Sequence, residues 1–173
     1  MQKIETVNSI THLFRQFSSV SSMCFSAASR DHSEMGWNGQ GQAAVYIETG
    51  QTPEGRLLRL TEKGHFSLNG QAQAIPFFNV IKLILFPEHI SFSHERYGID
   101  RPVWLFDIVA SDQVDFYSQT PHLCGQDNYA LKIRLEADAI VAHWSITGPK
   151  KNERLIYHYA LNNDMMTSQA KGV

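Results

Sequence analysis

Short alternating segments, cut from one another by turn signals, restrict the fold of this chain more than any other feature. The clearest are residues 129–135, 139–147 and 154–161, separated by turns at 136–138 and 148–152. Residues 23–30, 42–48, 56–60, 65–68, 88–93, 102–110 and 114–117 read as further strands. Lys63 and Gly64 mark a tight turn or bulge, Asn69 and Gly70 a hairpin, Asp112 and Gln113 a turn. Residues 75–86 are the most apolar stretch, and Pro76 together with β-branched and aromatic content makes it a strand rather than a helix. No long helix separates these segments, so a parallel α/β sheet is excluded. Roughly nine or ten short strands in succession predict an all-β chain, built as an antiparallel up-and-down β-barrel whose closure removes both sheet edges. A barrel of that size leaves room for one small ligand.

One short helix is expected ahead of the strands. Ile10, Leu13, Phe14 and Phe17 recur at helical spacing behind Ser9, a candidate N-cap, and serines at 18, 19, 21 and 22 end the run. The expected organisation is an N-terminal helical segment over 1–21, packed on or flanking the barrel, then the barrel over 22–161, and a frayed polar tail over 162–173.

Composition narrows the partners. With 15 basic and 17 acidic residues, a net charge of −2 and no Lys or Arg runs, the chain offers nucleic acid nothing to read. No segment reaches the roughly 18 apolar residues of a membrane span. The N-terminus lacks the apolar centre of a signal peptide, and there are only two cysteines, Cys24 and Cys124. Together these predict a cytoplasmic protein whose thiols are unlinked, either buried or part of a site. A homodimer is compatible with this composition.

Chemically able side chains concentrate at 122–129, where His122, Cys124, Asp127 and Tyr129 fall within eight residues, answered by Trp144 and the segment 148–151. Strand parity places Asp127, Tyr129, Leu131, Ile133 and Leu135 on the inner face, and Trp144 inward with Ile140, Ala142 and Ile146, leaving His143 outside. The last strand is ambiguous, because Tyr157, Tyr159 and Leu161 oppose Ile156, His158 and Ala160. Tyr46 and Glu48 share one face of their strand, and Arg30 and Arg59 sit in strands that look half buried. If these four point inward, they join Asp127 and Tyr129 in a hydrogen-bonded polar network inside the barrel.

The pattern His122-x-Cys124-x-x-Asp127-x-Tyr129, followed by Trp144 and by Gly148-Pro149 with Lys151 or the adjacent Lys150, resembles a family of small bacterial domains of lipocalin-like (calycin) barrel type and unknown function. Weaker echoes are Arg30, Gly39-x-Gly41-x-Ala43 and Tyr46-x-Glu48-x-Gly50. The resemblance spans 22–161, strongest over the last forty residues and thinnest between 70 and 110. Residues 57–60 depart from it, since the family shows an Arg-rich aromatic strand there. It implies a barrel with a pocket and carries no activity with it. By analogy with lipocalins Trp37 would close the barrel bottom, and with heme-binding calycin barrels His158 would reach iron.

Several chemistries fit the 122–129 cluster. His122, Cys124 and Asp127 are competent zinc ligands, but the C-x-x-C pair usual in structural sites is absent. Cys124 with His122 makes a nucleophile and base, although a thiol beside a His is more often packing. His122 and Asp127 also suit a purely structural loop tie. The reading adopted is a binding barrel without metal or cofactor, taking a small, mainly apolar ligand. Its polar contacts would come from His122, Cys124, Asp127, Tyr129, Tyr46, Glu48, Arg30 and Arg59, with Trp144 on the apolar side. The competing reading is an enzyme in the same cavity, with Asp127 or His122 as base and Tyr129 as donor.

Overall fold

The computed structural model describes residues 2–162, with side chains from Asn8 onward. Apart from Asn162, the tail expected to fray lies outside the described residues. Among them one helix, α1 (Gln2–Phe17), precedes eleven strands. These are β1 (Val20–Ser29), β2 (Gly39–Gln51), β3 (Arg56–Leu68), β4 (Ala74–Leu85), β5 (Ile90–His94), β6 (Val103–Ala110), β7 (Asp115–Ser118), β8 (His122–Cys124), β9 (Asp127–Leu135), β10 (Ala139–Thr147) and β11 (Asn152–Leu161). Paired strands are antiparallel; β11 returns to pair with β1, and β9 pairs with both β7 and β10. Ten strands therefore close into a ring, with β8 hanging from β9 as a short hairpin arm. The predicted all-β, antiparallel barrel is the observed fold.

Two local expectations are corrected. Residues 56–60 and 65–68 belong to one strand, β3. Lys63 and Gly64 stay in register with Ala44 and Ala43 on one side and with Phe78 and Phe77 on the other, so no turn intervenes. The helix begins at Gln2, which puts Ser9 inside it rather than at its cap. Ile4 and Val7 continue the apolar spacing upstream, and one serine in a helix interior costs only a few tenths of a kcal/mol, too little to stop it.

The apolar stripe of α1 is what closes the barrel. Ile10, Leu13, Phe14 and Phe17 are all buried, and the helix lies across one end against β4 and β6. The Arg56 guanidinium sits 5.4 Å above the Phe14 ring, and Phe17 meets Tyr159 edge-on at 6.1 Å. At the helix C-terminus the Ser18 hydroxyl donates to the Arg15 carbonyl at 2.6 Å, while the Ser18 and Ser19 amides bond the Arg15 and Gln16 carbonyls. Trp37, by contrast, is 40% exposed on the β1–β2 loop at the opposite end, so α1 does the closing expected of it. No helix among the described residues is long and apolar enough to cross a membrane.

Behind the plug the interior is filled. Leu58, Leu60, Leu83, Ile90, Phe106, Ile108 and Ile140 are essentially inaccessible. Each contributes about 1.5–3 kcal/mol relative to exposure. Further along the barrel aromatic rings take over. Phe66, Phe25, Tyr157 and Tyr159 form a stacked column with centroid spacings of 5.5, 4.8 and 6.0 Å. Gly41 makes room for it, because a Cβ at that position would fall inside the Phe25 ring.

Candidate functional site

Two of the polar groups that face the barrel interior are candidates for a site, and only the outer one was visible in the sequence pattern. At the end opposite α1, Lys151 Nζ lies 2.8 Å from Asp127 Oδ2 and donates to the Tyr129 hydroxyl at 3.4 Å. The ammonium also sits 5.9 Å from the Tyr129 ring centroid. His122 is paired with Tyr129 in the β8–β9 ladder, with ring centroids 6.2 Å apart. Gly148 lets this cluster close, since a Cβ there would overlap the Asp127 carboxylate. The hydrogen bond from Lys151 to Asp127 raises the lysine pKa. Of the two lysines after Pro149, it is Lys151 that reaches the cluster; Lys150 pairs instead with Glu34 at 3.3 Å.

The residues of the zinc and nucleophile readings do not converge on one point. The Asp127 carboxylate is committed to Lys151, and Cys124 lies exposed beside the Gly125 turn. No set of three His, Cys, Asp or Glu side chains able to hold a metal ion occurs among the described residues. Cys24 and Cys124 are unlinked, as expected, but both are exposed rather than buried.

The inward network expected of Tyr46, Glu48, Arg30 and Arg59 does not form. Val45 and Ile47 take the inner face of β2, and Leu58 and Leu60 that of β3, so the residues between them point out. Arg59 and Glu48 do approach each other, at 3.7 Å, but on the outside of the barrel, where Glu95 grips the Arg59 guanidinium at 2.9–3.0 Å. Arg30 and His158 are exposed, which removes the iron-ligand reading of His158. Trp144 points inward as parity predicts, 5.7 Å from Phe92 and 5.6 Å from Phe106.

The second group sits at mid-barrel, where the apolar packing gives way to a cavity of about 140 Å³. Glu62 lines it and is 1% exposed. Tyr159 donates its hydroxyl to Glu62 Oε1 at 2.7 Å, and Asn79 donates Nδ2 to Oε2 at 3.2 Å. Among the described residues no cationic group stands within ion-pair distance of this carboxyl. His94, Tyr157, Trp144, Phe92 and Leu105 complete the wall. β4 pairs with β5 only from Ile81 to Leu85, because β5 ends at His94. Asn79 and His94 therefore border a notch in the barrel wall, and the cavity lies behind it.

Burial controls how these groups titrate. It pushes the Glu62 carboxyl above the ordinary carboxylate range, against the hydrogen bonds from Tyr159 and Asn79. It holds the Tyr157 and Tyr159 phenols up, with the nearby Glu62 adding to the effect, and it lowers His94, where Arg96 acts in the same direction. The Glu62 shift has a consequence for stability. As pH rises above the ordinary glutamate value, the unfolded chain gives up its proton while the folded chain keeps it. Stability is thus lost as pH climbs through the raised folded pKa, by at most about 1.4 kcal/mol per pH unit. Glu62→Gln removes that loss, so its melting temperature should gain on the wild type as pH rises above the ordinary glutamate value of about 4. A difference that stays flat over the range would show that Glu62 does not titrate this way.

Sequence reasoning missed Glu62, Asn79 and His94. The signal for the first was present, since the alternation Leu58–Leu60 extended by two positions lands on Glu62. Glu153, also inward and buried, has a local task, accepting from the Ser29 hydroxyl at 2.5 Å and from Ser33 to hold the β1–β2 loop.

No curated protein and no solved structure matches the chain. One family model does, over residues 27–161, which takes in the barrel from late β1 to the end of β11 and leaves α1 outside. On that match the chain belongs to the Family of unknown function (DUF6314).

Proposed function

We propose that this protein binds a small molecule in the mid-barrel cavity and does not transform it. The observation that carries this reading is Glu62. A carboxyl buried without a cation costs the fold several kcal/mol unless it is neutral or fully hydrogen-bonded, and two neighbours are engaged in holding it there. Proteins keep such groups where a ligand uses them. The space corresponds to about five waters at ~30 Å³ each, so the ligand is smaller than the drug-sized molecules that fill pockets of 300 Å³ or more. Its apolar part is buried against aromatic rings at about 25 cal/mol per Å². Of the residues singled out from the sequence, Trp144 remains in contact with the ligand. The anchoring passes from the Asp127 cluster to Glu62, Asn79, His94 and Tyr157.

Native mass spectrometry of the purified chain beside Leu105→Trp, which fills the cavity, tests the reading. The wild type is expected to carry a small adduct, or to gain melting temperature from a panel of small metabolites, and the variant to do neither. A wild type of bare mass that no small metabolite stabilises would overturn it.

A further inference from the structure

The cavity wall restricts the ligand's charge as well as its size. Glu62 is the one carboxyl in it, and no Lys or Arg contributes to its lining. Both Glu62 oxygens already accept one hydrogen bond, from Tyr159 and Asn79, so what a ligand can add is a positive charge that favours the ionised carboxylate, not a first partner. Two further polar groups on the wall are uncommitted. The Tyr157 hydroxyl and the His94 ring make no hydrogen bond with any described residue. A neutral imidazole offers one acceptor nitrogen, and a phenol offers its oxygen. The remaining surface is ring: Trp144 and Phe92 line the cavity beside Tyr157, whose ring is itself stacked on Phe25.

We infer that the cavity takes a small organic ammonium ion, with Glu62 as its counter-ion, Tyr157 and His94 as further acceptors for its N–H groups, and Trp144 and Phe92 as ring faces for its charge and alkyl part. This rests on the binding reading above and specifies its ligand class. The chemistry is complementary in each respect. An ammonium has donors only, and the uncommitted groups can all accept. Aromatic faces attract a cation within about 6 Å of their centroids, and most strongly when both are out of water. An anion would meet Glu62 with no lysine or arginine to offset it. A neutral alcohol would gain no ion pair from the carboxyl.

Three probes of nearly equal size separate these cases: propylammonium, 1-propanol and propionate. Each is titrated into the ¹⁵N-labelled protein while the indole N–H resonances are followed. Trp144 reports on the cavity, and Trp37, on the β1–β2 loop, serves as the control. Propylammonium is expected to shift the Trp144 resonance saturably and at least tenfold more tightly than either of the others, leaving Trp37 unmoved. Glu62→Gln keeps the side-chain volume and should weaken propylammonium at least tenfold while leaving 1-propanol unchanged. Should 1-propanol or propionate bind as well as propylammonium, or Glu62→Gln bind it undiminished, the ammonium assignment fails and the binding reading survives. If no probe moves Trp144, the ammonium assignment fails, and the binding reading falls with it only where the wild type is also of bare mass and no small metabolite stabilises it.

Discussion

Truncating Phe14 to alanine is expected to cost about 3–5 kcal/mol of stability, although the residue lies in a helix outside the closed ring. The reasoning weighs two opposite effects. Alanine is the better helix former, which returns roughly 0.5 kcal/mol to α1. Against this, a ring that is 1% exposed is removed from the contact between α1 and the barrel end, and the Arg56 guanidinium loses the face it covers. The cavity left behind is walled by strands that the closed ladder holds in place, so relaxation recovers little of the loss. Urea unfolding of both proteins measures the difference, with an unchanged m-value showing that the unfolded reference is the same. A cost below about 1 kcal/mol would mean that α1 is an accessory segment and that the barrel end is closed by its own side chains.

The barrel was legible because its strands carry period-two patterns wherever one face meets the core. Residues 127–135 alternate, and 139–147 do so from Ala142 onward, with Val141 buried on the other parity, and the inward set came out as parity requires. The helix was legible as an apolar stripe, but its start was not: a serine at a plausible boundary outweighed the weaker upstream spacing of Ile4 and Val7. Errors in the site have a common physical origin. Polar residues were judged by type and local clustering, whereas the inner face is set by parity carried over the whole strand. Lys63 and Gly64 look like a turn, so the inward alternation stops at Leu60, Glu62 is passed over, and a strand of thirteen residues is broken in two. The same habit drew Tyr46 and Glu48 inward against the stronger claim of Val45 and Ile47. In β11 the two parities are equally apolar, and only the pairing of Tyr157 and Tyr159 with the interior of β1 and β10 decides between them.

The Asp127–Lys151–Tyr129 cluster shows how a sequence motif can point to geometry without pointing to ligand. Its residues do converge, over separations of 2 and 24 positions, and they do face the barrel mouth. Yet each polar atom's main partner is another member, so the cluster satisfies itself. Glu62 differs, because no cation among the described residues stands beside it. That contrast, rather than proximity of reactive side chains, is why the proposed site is at Glu62 and not at the Asp127 cluster.

Trp144→Ala is expected to destabilise the protein by about 3 kcal/mol, at the lower end of the range for removing a large aromatic. The indole packs against Phe92 and Phe106, which argues for a large cost, but one side of it already faces the cavity and has no contacts to lose. The ten-strand ring cannot contract to fill the space, so the void should persist as an enlarged pocket continuous with the original one. This gives the prediction a second, more specific part. Free indole added to Trp144→Ala should raise its melting temperature saturably, recovering up to about 2.7 kcal/mol at a hundredfold excess over its dissociation constant. The same concentrations should leave the wild type unmoved, because its cavity is too small for a second indole. An unchanged denaturation midpoint in Trp144→Ala would place the ring outside the core. A destabilised variant that indole fails to rescue would show that the barrel collapses around the gap, and so that the cavity is not held open by the closed sheet.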